Sequence, residues 1–174
     1  MKETVIIYLA HAPCEDSHTL LRRAASRLTG LPEEEFITEK APLGKPFFPR
    51  CRSLHFSVSH SGDLWLCAFA SLKIGCDVQL HTEPRRPDAI AERYFHPNEQ
   101  EVYRNAEDKL TVFHRIWCRK EAAVKRTGHG IDRTFALTDT TVPDCGVYDI
   151  DLPFPGYSCA VACEIPVNTE IRLL

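Results

Sequence analysis

Apolar runs and strict alternation predict most of the strands. The run TVIIYLA favours a first strand at residues 4–10. In LHFSVSHSGDLWLCAFA, two alternating runs flank the short turn Ser61-Gly62-Asp63, which predicts a hairpin. KIGCDVQL follows after another short turn, and we expect it to complete a three-stranded meander. Further short strands are predicted in TFALT, GVYDI, YSCAVAC and EIRLL.

Helical spacing of apolar residues occupies much of the remaining chain. The helices are expected at residues 15–29, 88–95, 97–105 and 108–127. Gly30 and Gly128 stand where glycine commonly ends a helix, and Pro97 suits a first helical turn. Strands at both ends of the chain around a helical middle indicate an α+β fold, mixed rather than doubly wound.

The longest predicted helix carries charges where apolar residues are expected. Its apolar stripe comprises Phe113, Ile116, Trp117 and Val124. Lys120 falls in the middle of this stripe, Glu121 lies at its edge, and Lys125 follows one turn later. On the KIGCDVQL strand, Asp77 and Gln79 share one face. We therefore expect Lys120 and Glu121 to line a cleft between this helix and that strand.

The chemistry of these residues suits a phosphate held by a metal. Asp77, Gln79 and Glu121 supply oxygen ligands, and lysines flank Glu121, which is typical of Mg²⁺ binding a phosphate or pyrophosphate. A second interpretation stays open. Glu121 and Lys125 also form the i,i+4 pair of an ordinary exposed helix, and Lys120 could lay its stem over apolar surface.

Composition narrows the class of protein. The chain has 174 residues, of which 44% are hydrophobic and 26% charged, as in an ordinary globular protein. A net charge of −3 does not favour a nucleic-acid binder, and no apolar run is long enough to span a membrane. The eight cysteines form no CxxC, and the N-terminal residues do not resemble a signal peptide. We therefore expect reduced thiols and a cytoplasmic location.

Two further motifs are ambiguous on their own. Ser59-His60 could suggest a serine hydrolase, but the GxSxG elbow is absent and alternation points the two side chains in opposite directions. His60 could instead contact a phosphate or simply cap the hairpin. Gly44-Lys45-Pro46 is a stiff loop with one basic group, and it is not a P-loop.

The motifs resemble, in order, those of the 4′-phosphopantetheinyl transferase superfamily. They are GKPFFP, FSVSHSGDLWLCAFA, IGCDVQ, RYFHPNE and FHRIWCRKEAAVKRTGHGI, within residues 41–131, and PGYSCAVAC resembles a late strand of the family. The similarity is greatest to the surfactin-synthetase-activating type, which carries two similar α/β halves on one chain. The resemblance implies an N-terminal half at 1–75 on the adenine and 3′-phosphate side, and a C-terminal half at 76–174 on the metal and pyrophosphate side. Coenzyme A would lie in the cleft between them.

The resemblance also implies a reaction, in which phosphopantetheine moves from coenzyme A to a serine of an acyl or peptidyl carrier protein and adenosine 3′,5′-bisphosphate leaves. Asp77 and Glu121 would bind Mg²⁺, with Mn²⁺ as an alternative ion, and Glu121 or a water on the metal would take the serine proton. Gln79 stands where surfactin-type members usually have a third acid. Lys120 and Lys125 match the lysines of the family's WxxKExxxK helix, where Lys125 would contact the pyrophosphate.

Other positions match the family's coenzyme A contacts. The residues implied are Ser59 and His60 near the 3′-phosphate, and Gly44, Lys45 and Pro46 along the adenine. The N-terminus is shorter than in larger members, which leaves Arg22, Arg23 and Arg27 as nearby basic candidates. Arg85, Arg86, Arg93 and Arg119 are candidates for docking the acidic carrier protein. We expect a monomer, and the competing interpretation is a catalytically weak relative that binds coenzyme A or a carrier protein without turnover.

Overall fold

The computed structural model describes residues 2–131 and 133–174 and confirms the mixed α+β class. The strands are β1 (Glu3–His11), β2 (Glu39–Lys40), β3 (Pro46–Phe47), β4 (His55–Ser61), β5 (Leu64–Ala70), β6 (Gly75–Leu80), β7 (Val147–Asp149), β8 (Tyr157–Ala162) and β9 (Val167–Leu173). The helices are α1 (Ser17–Thr29), α2 (Pro87–Tyr94), α3 (Pro97–Arg104), α4 (Lys109–Thr127) and α5 (Arg133–Leu137), with a short 3₁₀ turn at Glu33–Glu35. In the described part of the chain, no helix is both long and apolar enough to cross a membrane.

The larger sheet combines strands from both ends of the chain. Its order is β4-β5-β1-β9, in which β1 runs antiparallel to β5 and parallel to β9. Helix α1 covers one face, where Leu20 and Leu21 pack into a buried cluster with Tyr8, Phe56 and Phe69. Because β9 pairs with β1, the last strand of the chain lies in the sheet of its N-terminal part. The division into halves at residues 75 and 76 stays a prediction.

The expected three-stranded meander is wrong in its third strand. β4 and β5 form the predicted hairpin, but β6 pairs with β8 in a second sheet of order β6-β8-β7. The reason is competition for an edge, since β1 already occupies the free side of β5. β6 therefore leaves the first sheet and begins another.

The prediction of a strand in TFALT is also wrong. Residues Arg133–Leu137 form helix α5, and the backbone N–H of Thr138 donates to the carbonyl of Thr134 at 3.0 Å, which is a helical i to i−4 hydrogen bond. Five residues are too few for the periods of helix and strand to be told apart from sequence.

Serine side chains join the two sheets where β4 and β6 run side by side. The hydroxyls of Ser57, Ser59 and Ser61 accept hydrogen bonds from the backbone N–H groups of Cys76, Val78 and Leu80 at 3.0, 3.3 and 2.9 Å. We call these three residues the serine ladder. Because side chains at alternate positions point the same way, one face of β4 satisfies the unpaired edge of β6.

Helix α4 packs directly on β6 at a glycine. A Cβ atom added at Gly75 would collide with the backbone of Ala122 and Arg126. The absence of a side chain at Gly75 therefore lets the helix approach the strand closely. Since Asp77 follows two residues later on the same face, the approach brings the helix's polar residues near Asp77.

Candidate active site

Three of the predicted site residues converge on the buried carboxylate of a fourth. Asp77 is only 2% exposed, and its Oδ1 accepts hydrogen bonds from Ser59 Oγ at 2.7 Å and Lys125 Nζ at 2.6 Å. Its Oδ2 accepts one from Gln79 Nε2 at 2.8 Å. Lys125 Nζ also donates to Ser59 Oγ at 3.1 Å. We call Ser59, Asp77, Gln79 and Lys125 the Asp77 cluster.

Glu121 lies beside this cluster, one helical turn before Lys125. Burial raises the pKa of Glu121, the negative charge of Asp77 raises it further, and Lys125 partly opposes both effects. Burial disfavours the charge of Lys125, but Asp77 and neighbouring groups outweigh it and raise the pKa of Lys125. The two carboxylates therefore repel each other, and Lys125 acts as a counter-ion to both.

A cavity of about 410 Å³ adjoins the cluster, and most of the other residues predicted to form the site line it. Its polar end is formed by Glu121 and Lys125. The loop Gly44–Pro46 forms another part of the wall, and apolar side chains complete the lining, among them Leu43, Phe56, Val58, Val124 and Ile131. An apolar chamber with a charged end suits a ligand that carries a planar ring and a phosphate.

Lys45 ties the loop to the end of helix α4. Its Nζ donates to the backbone carbonyl of Ile74 at 2.6 Å and to that of Lys125. Burial lowers the pKa of Lys45 to about 8. Since its ammonium group satisfies carbonyls at the C-terminal end of a helix, Lys45 fixes the position of the wall that it forms.

The expectation that Lys120 lines the cleft is wrong. Its side chain is fully buried on the other side of α4, where Nζ donates to Glu99 Oε2 at 2.8 Å and to the carbonyl of Thr138 at 2.6 Å. The ammonium also lies 5.3 Å from the centre of the Phe135 ring. Adjacent helical residues differ in direction by about 100°, so Lys120 and Glu121 face different surroundings.

Glu99 is the residue that sequence reasoning missed. Its carboxylate is completely buried and accepts hydrogen bonds from Lys120, from the backbone N–H of His96 at 2.9 Å, and from both the N–H and hydroxyl of Thr140. The capping box formed by His96 and Glu99 at the start of α3 was the available signal. Burial lowers the pKa of Lys120, and the ion pair with Glu99 opposes that shift.

His60 lies apart from the Asp77 cluster. It is exposed and borders a separate groove that includes Glu15, Ser17 and Trp65. Ser59 points the opposite way, is 6% exposed and donates to Asp77, so the two side chains do not form a nucleophile and base. The roles of both residues towards a 3′-phosphate stay predictions.

Among the described residues, some of the arginines expected to bind the 3′-phosphate or the carrier protein already form ion pairs within the protein, and others do not. On α1, Arg23 pairs with Glu15 at 2.5 Å. Arg119 donates to Asp149 at 3.0 Å and also to a backbone carbonyl, whereas Arg85, Arg86 and Arg93 are exposed. Docking of a carrier protein at these arginines stays a prediction. Arg119 is the least exposed of the four.

The donor set is small for a metal held by protein alone. Within residues 2–131 and 133–174, no three His, Cys, Asp or Glu side chains are grouped to hold a metal ion. Asp77 and Glu121 supply two carboxylates, and the side-chain amide of Gln79 donates to Asp77. Because a divalent cation would relieve the repulsion between the carboxylates, these residues fit an ion that takes its other ligands from a phosphate.

Comparison with known proteins identifies the family. The profile of the 4′-phosphopantetheinyl transferase superfamily matches residues 73–161. A 4′-phosphopantetheinyl transferase from Bacillus subtilis is 31% identical over 84% of this chain and 68% of its own length. The transferase psf-1 from Bacillus pumilus is 32% identical over 87% and 70%, and Sfp from Bacillus subtilis strain 168 is 28% identical over 87% and 76%. The chain therefore belongs to the 4′-phosphopantetheinyl transferase superfamily of enzymes.

Proposed function

We propose that this protein transfers the 4′-phosphopantetheinyl group of coenzyme A to a serine of an acyl or peptidyl carrier protein, with Mg²⁺. The observation that carries the proposal is that Glu121 and Lys125 line the cavity together, while the buried Asp77 forms an ion pair with Lys125. Carboxylates beside a lysine suit a transferring phosphoryl group better than they suit a site for a phosphate alone. The family membership of the chain supports the same reaction.

In the proposed reaction, the carrier serine Oγ attacks the coenzyme A phosphorus that carries pantetheine. A new P–O bond forms to the serine, and the P–O bond of the pyrophosphate breaks, so that adenosine 3′,5′-bisphosphate leaves with the bridging oxygen. Glu121 accepts the serine proton, for which its raised pKa is favourable. Lys125 turns from Asp77 towards the pyrophosphate, where its charge stabilises the transition state.

The remaining residues would bind and orient the reactants. Asp77, Glu121 and the amide of Gln79 would hold Mg²⁺, which supplies charge neutralisation at the pyrophosphate when it is bound. Gly44, Lys45 and Pro46 line the cavity and would contact the adenine. Fixing both reactants in one cleft removes the entropic cost of their meeting, which is a large part of catalysis for phosphoryl transfer.

The proposal is tested by intact mass spectrometry of an apo carrier protein. Incubation with this protein, coenzyme A and Mg²⁺ should add one phosphopantetheinyl group, and removal of the metal with EDTA should abolish the gain. The released nucleotide should be adenosine 3′,5′-bisphosphate in equal amount. No mass gain on several acyl and peptidyl carrier proteins would contradict the proposal.

The second candidate is a relative that binds coenzyme A or a carrier protein without turnover. Gln79 favours this candidate, because an amide replaces a negative charge at the metal position. Calorimetry separates the two: coenzyme A binding without transfer to any carrier protein would support the second candidate, and transfer would exclude it.

A further inference from the structure

We infer that the hydroxyl of Ser59 is a positioning group for Asp77 and Lys125, rather than a contact for the 3′-phosphate of coenzyme A. The inference rests on the proposed function, since it assigns a task within the same site. It follows from the different surroundings of three serines that are otherwise equivalent.

The serine ladder supplies an internal comparison. Each of its members accepts a hydrogen bond from one backbone N–H of β6, so all three contribute to joining the sheets. Ser59 alone among them also contacts charged side chains in the described part of the chain. It donates to Asp77 Oδ1 at 2.7 Å and accepts from Lys125 Nζ at 3.1 Å.

The hydroxyl of Ser59 has no proton left to donate to a phosphate in this arrangement. Its one proton is given to Asp77, and its two lone pairs accept from Val78 N–H and Lys125 Nζ. The side chain is also buried, at 6% exposure. Because a phosphate oxygen accepts hydrogen bonds, a contact with this hydroxyl would need the proton that Ser59 gives to Asp77.

The contacts define the conformation of the carboxylate. Ser59 holds Oδ1 from the side of β4, while Gln79 holds Oδ2 from the next position on the same face of β6. With both oxygens held, the carboxylate has a defined orientation next to Lys125. Groups of this kind, which orient a ligand without touching the metal, typically change metal affinity or activity about 10- to 100-fold when removed.

The matched pair of variants for the test is Ser59→Ala and Ser61→Ala. Each leaves one backbone N–H of β6 without its acceptor, so both should lower the midpoint of urea unfolding to a similar extent. Ser59→Ala alone removes the donor to Asp77. Ser59→Thr keeps the hydroxyl and serves as the rescue variant, and unfolding curves establish that each variant is folded.

Two measurements distinguish positioning from a phosphate contact. The first is Mn²⁺ binding without coenzyme A, followed by the electron paramagnetic resonance signal of the free ion. We expect Ser59→Ala to bind Mn²⁺ about 10- to 100-fold more weakly than the wild type, with Ser61→Ala and Ser59→Thr close to the wild type. The second is steady-state transfer, in which Ser59→Ala should lower kcat and leave the KM for coenzyme A almost unchanged.

A phosphate role predicts the opposite pattern. Ser59→Ala would then raise the KM for coenzyme A, leave Mn²⁺ binding equal to that of Ser61→Ala, and have no effect with dephospho-coenzyme A, which lacks the 3′-phosphate. That pattern, or a wild type that binds no Mn²⁺, would overturn the inference. If the wild type binds Mn²⁺ but modifies no carrier protein, the proposed function fails, while the Mn²⁺ comparison still decides the task of Ser59.

Discussion

Asp77 and Glu121 have unlike surroundings, which suits them to different tasks. Asp77 is almost fully buried and accepts hydrogen bonds from a serine, a lysine and an amide. Burial and the charge of Asp77 raise the pKa of Glu121, which favours a group that takes up a proton. Under the proposed function, Asp77 is a metal ligand, whereas Glu121 is both a ligand and the group that takes up the serine proton.

Gln79 is uncharged, and its replacement by glutamate tests whether a third negative charge strengthens metal binding. Gln79→Glu replaces the amide that donates to Asp77 with a third carboxylate, so the metal-free site becomes more repulsive. We expect tighter Mn²⁺ binding and transfer at lower Mg²⁺ concentration than in the wild type. Titration of transfer rate against Mg²⁺ measures this. Unchanged Mg²⁺ dependence in Gln79→Glu would show that position 79 does not contribute to metal binding.

Lys45 should make stability depend on pH in a defined direction. Burial lowers its folded-state pKa to about 8 from 10.5, so between these values the unfolded chain binds more protons. The free energy of unfolding contributed by Lys45 therefore rises as pH increases through this range, and Lys45→Met removes the rise. Urea unfolding of both proteins at about pH 7 and about pH 10 measures the difference. If the free energies of unfolding of the wild type and Lys45→Met differ by the same amount at both pH values, this effect of Lys45 is excluded.

At the scale of elements, the contact of α4 with β6 positions the site. Gly75→Ala would force the helix backbone away from the strand, because the added Cβ meets Ala122 and Arg126. We expect a loss of about 1–3 kcal/mol in the free energy of unfolding, together with a large loss of transfer activity. The exposed neighbour Lys73 provides the control, since Lys73→Ala should change stability by less than about 0.5 kcal/mol. Wild-type stability in Gly75→Ala would mean that the helix is not held this closely.

The buried ion pair of Glu99 and Lys120 connects α3, α4 and the segment after α5. Lys120→Met leaves the Glu99 carboxylate buried without its cation, which should cost about 3–5 kcal/mol in urea unfolding. Lys120→Met combined with Glu99→Gln removes both charges, while the amide can still accept from Thr140. We therefore expect the double variant to be more stable than Lys120→Met alone. If the stability losses of Lys120→Met and Glu99→Gln simply add in the double variant, the two residues are not coupled.

The sequence predicts local features of the fold well, because they depend on neighbouring residues. Helix α4 ends at Gly128, which has a φ of 83°, and α3 begins at Pro97, as turn and helix chemistry require. The position of Lys120 in the core stripe was also visible from its spacing. Its direction towards Glu99 was not, since that partner lies 21 residues away on another helix.

In the whole molecule, the contacts between strands that are far apart in the chain could not be predicted from local sequence patterns. Alternation placed Ser57 and Ser59 on one face of β4, but it could not show that this face meets the edge of β6. In the same way, β9 returns to pair with β1 across almost the whole chain. The candidate site depends on these arrangements, because Asp77 reaches Ser59 only where the two sheets join.

Under the proposed function, Glu121, beside the Asp77 cluster, accepts the proton of the carrier serine. The most direct test is the single-turnover rate of transfer to an apo carrier protein, compared between Glu121→Ala and Glu101→Ala, which changes an exposed glutamate on α3. We predict that Glu121→Ala slows transfer by at least about 100-fold while coenzyme A still binds, and that Glu101→Ala behaves as the wild type. A rate for Glu121→Ala within a few-fold of the wild type would contradict the account.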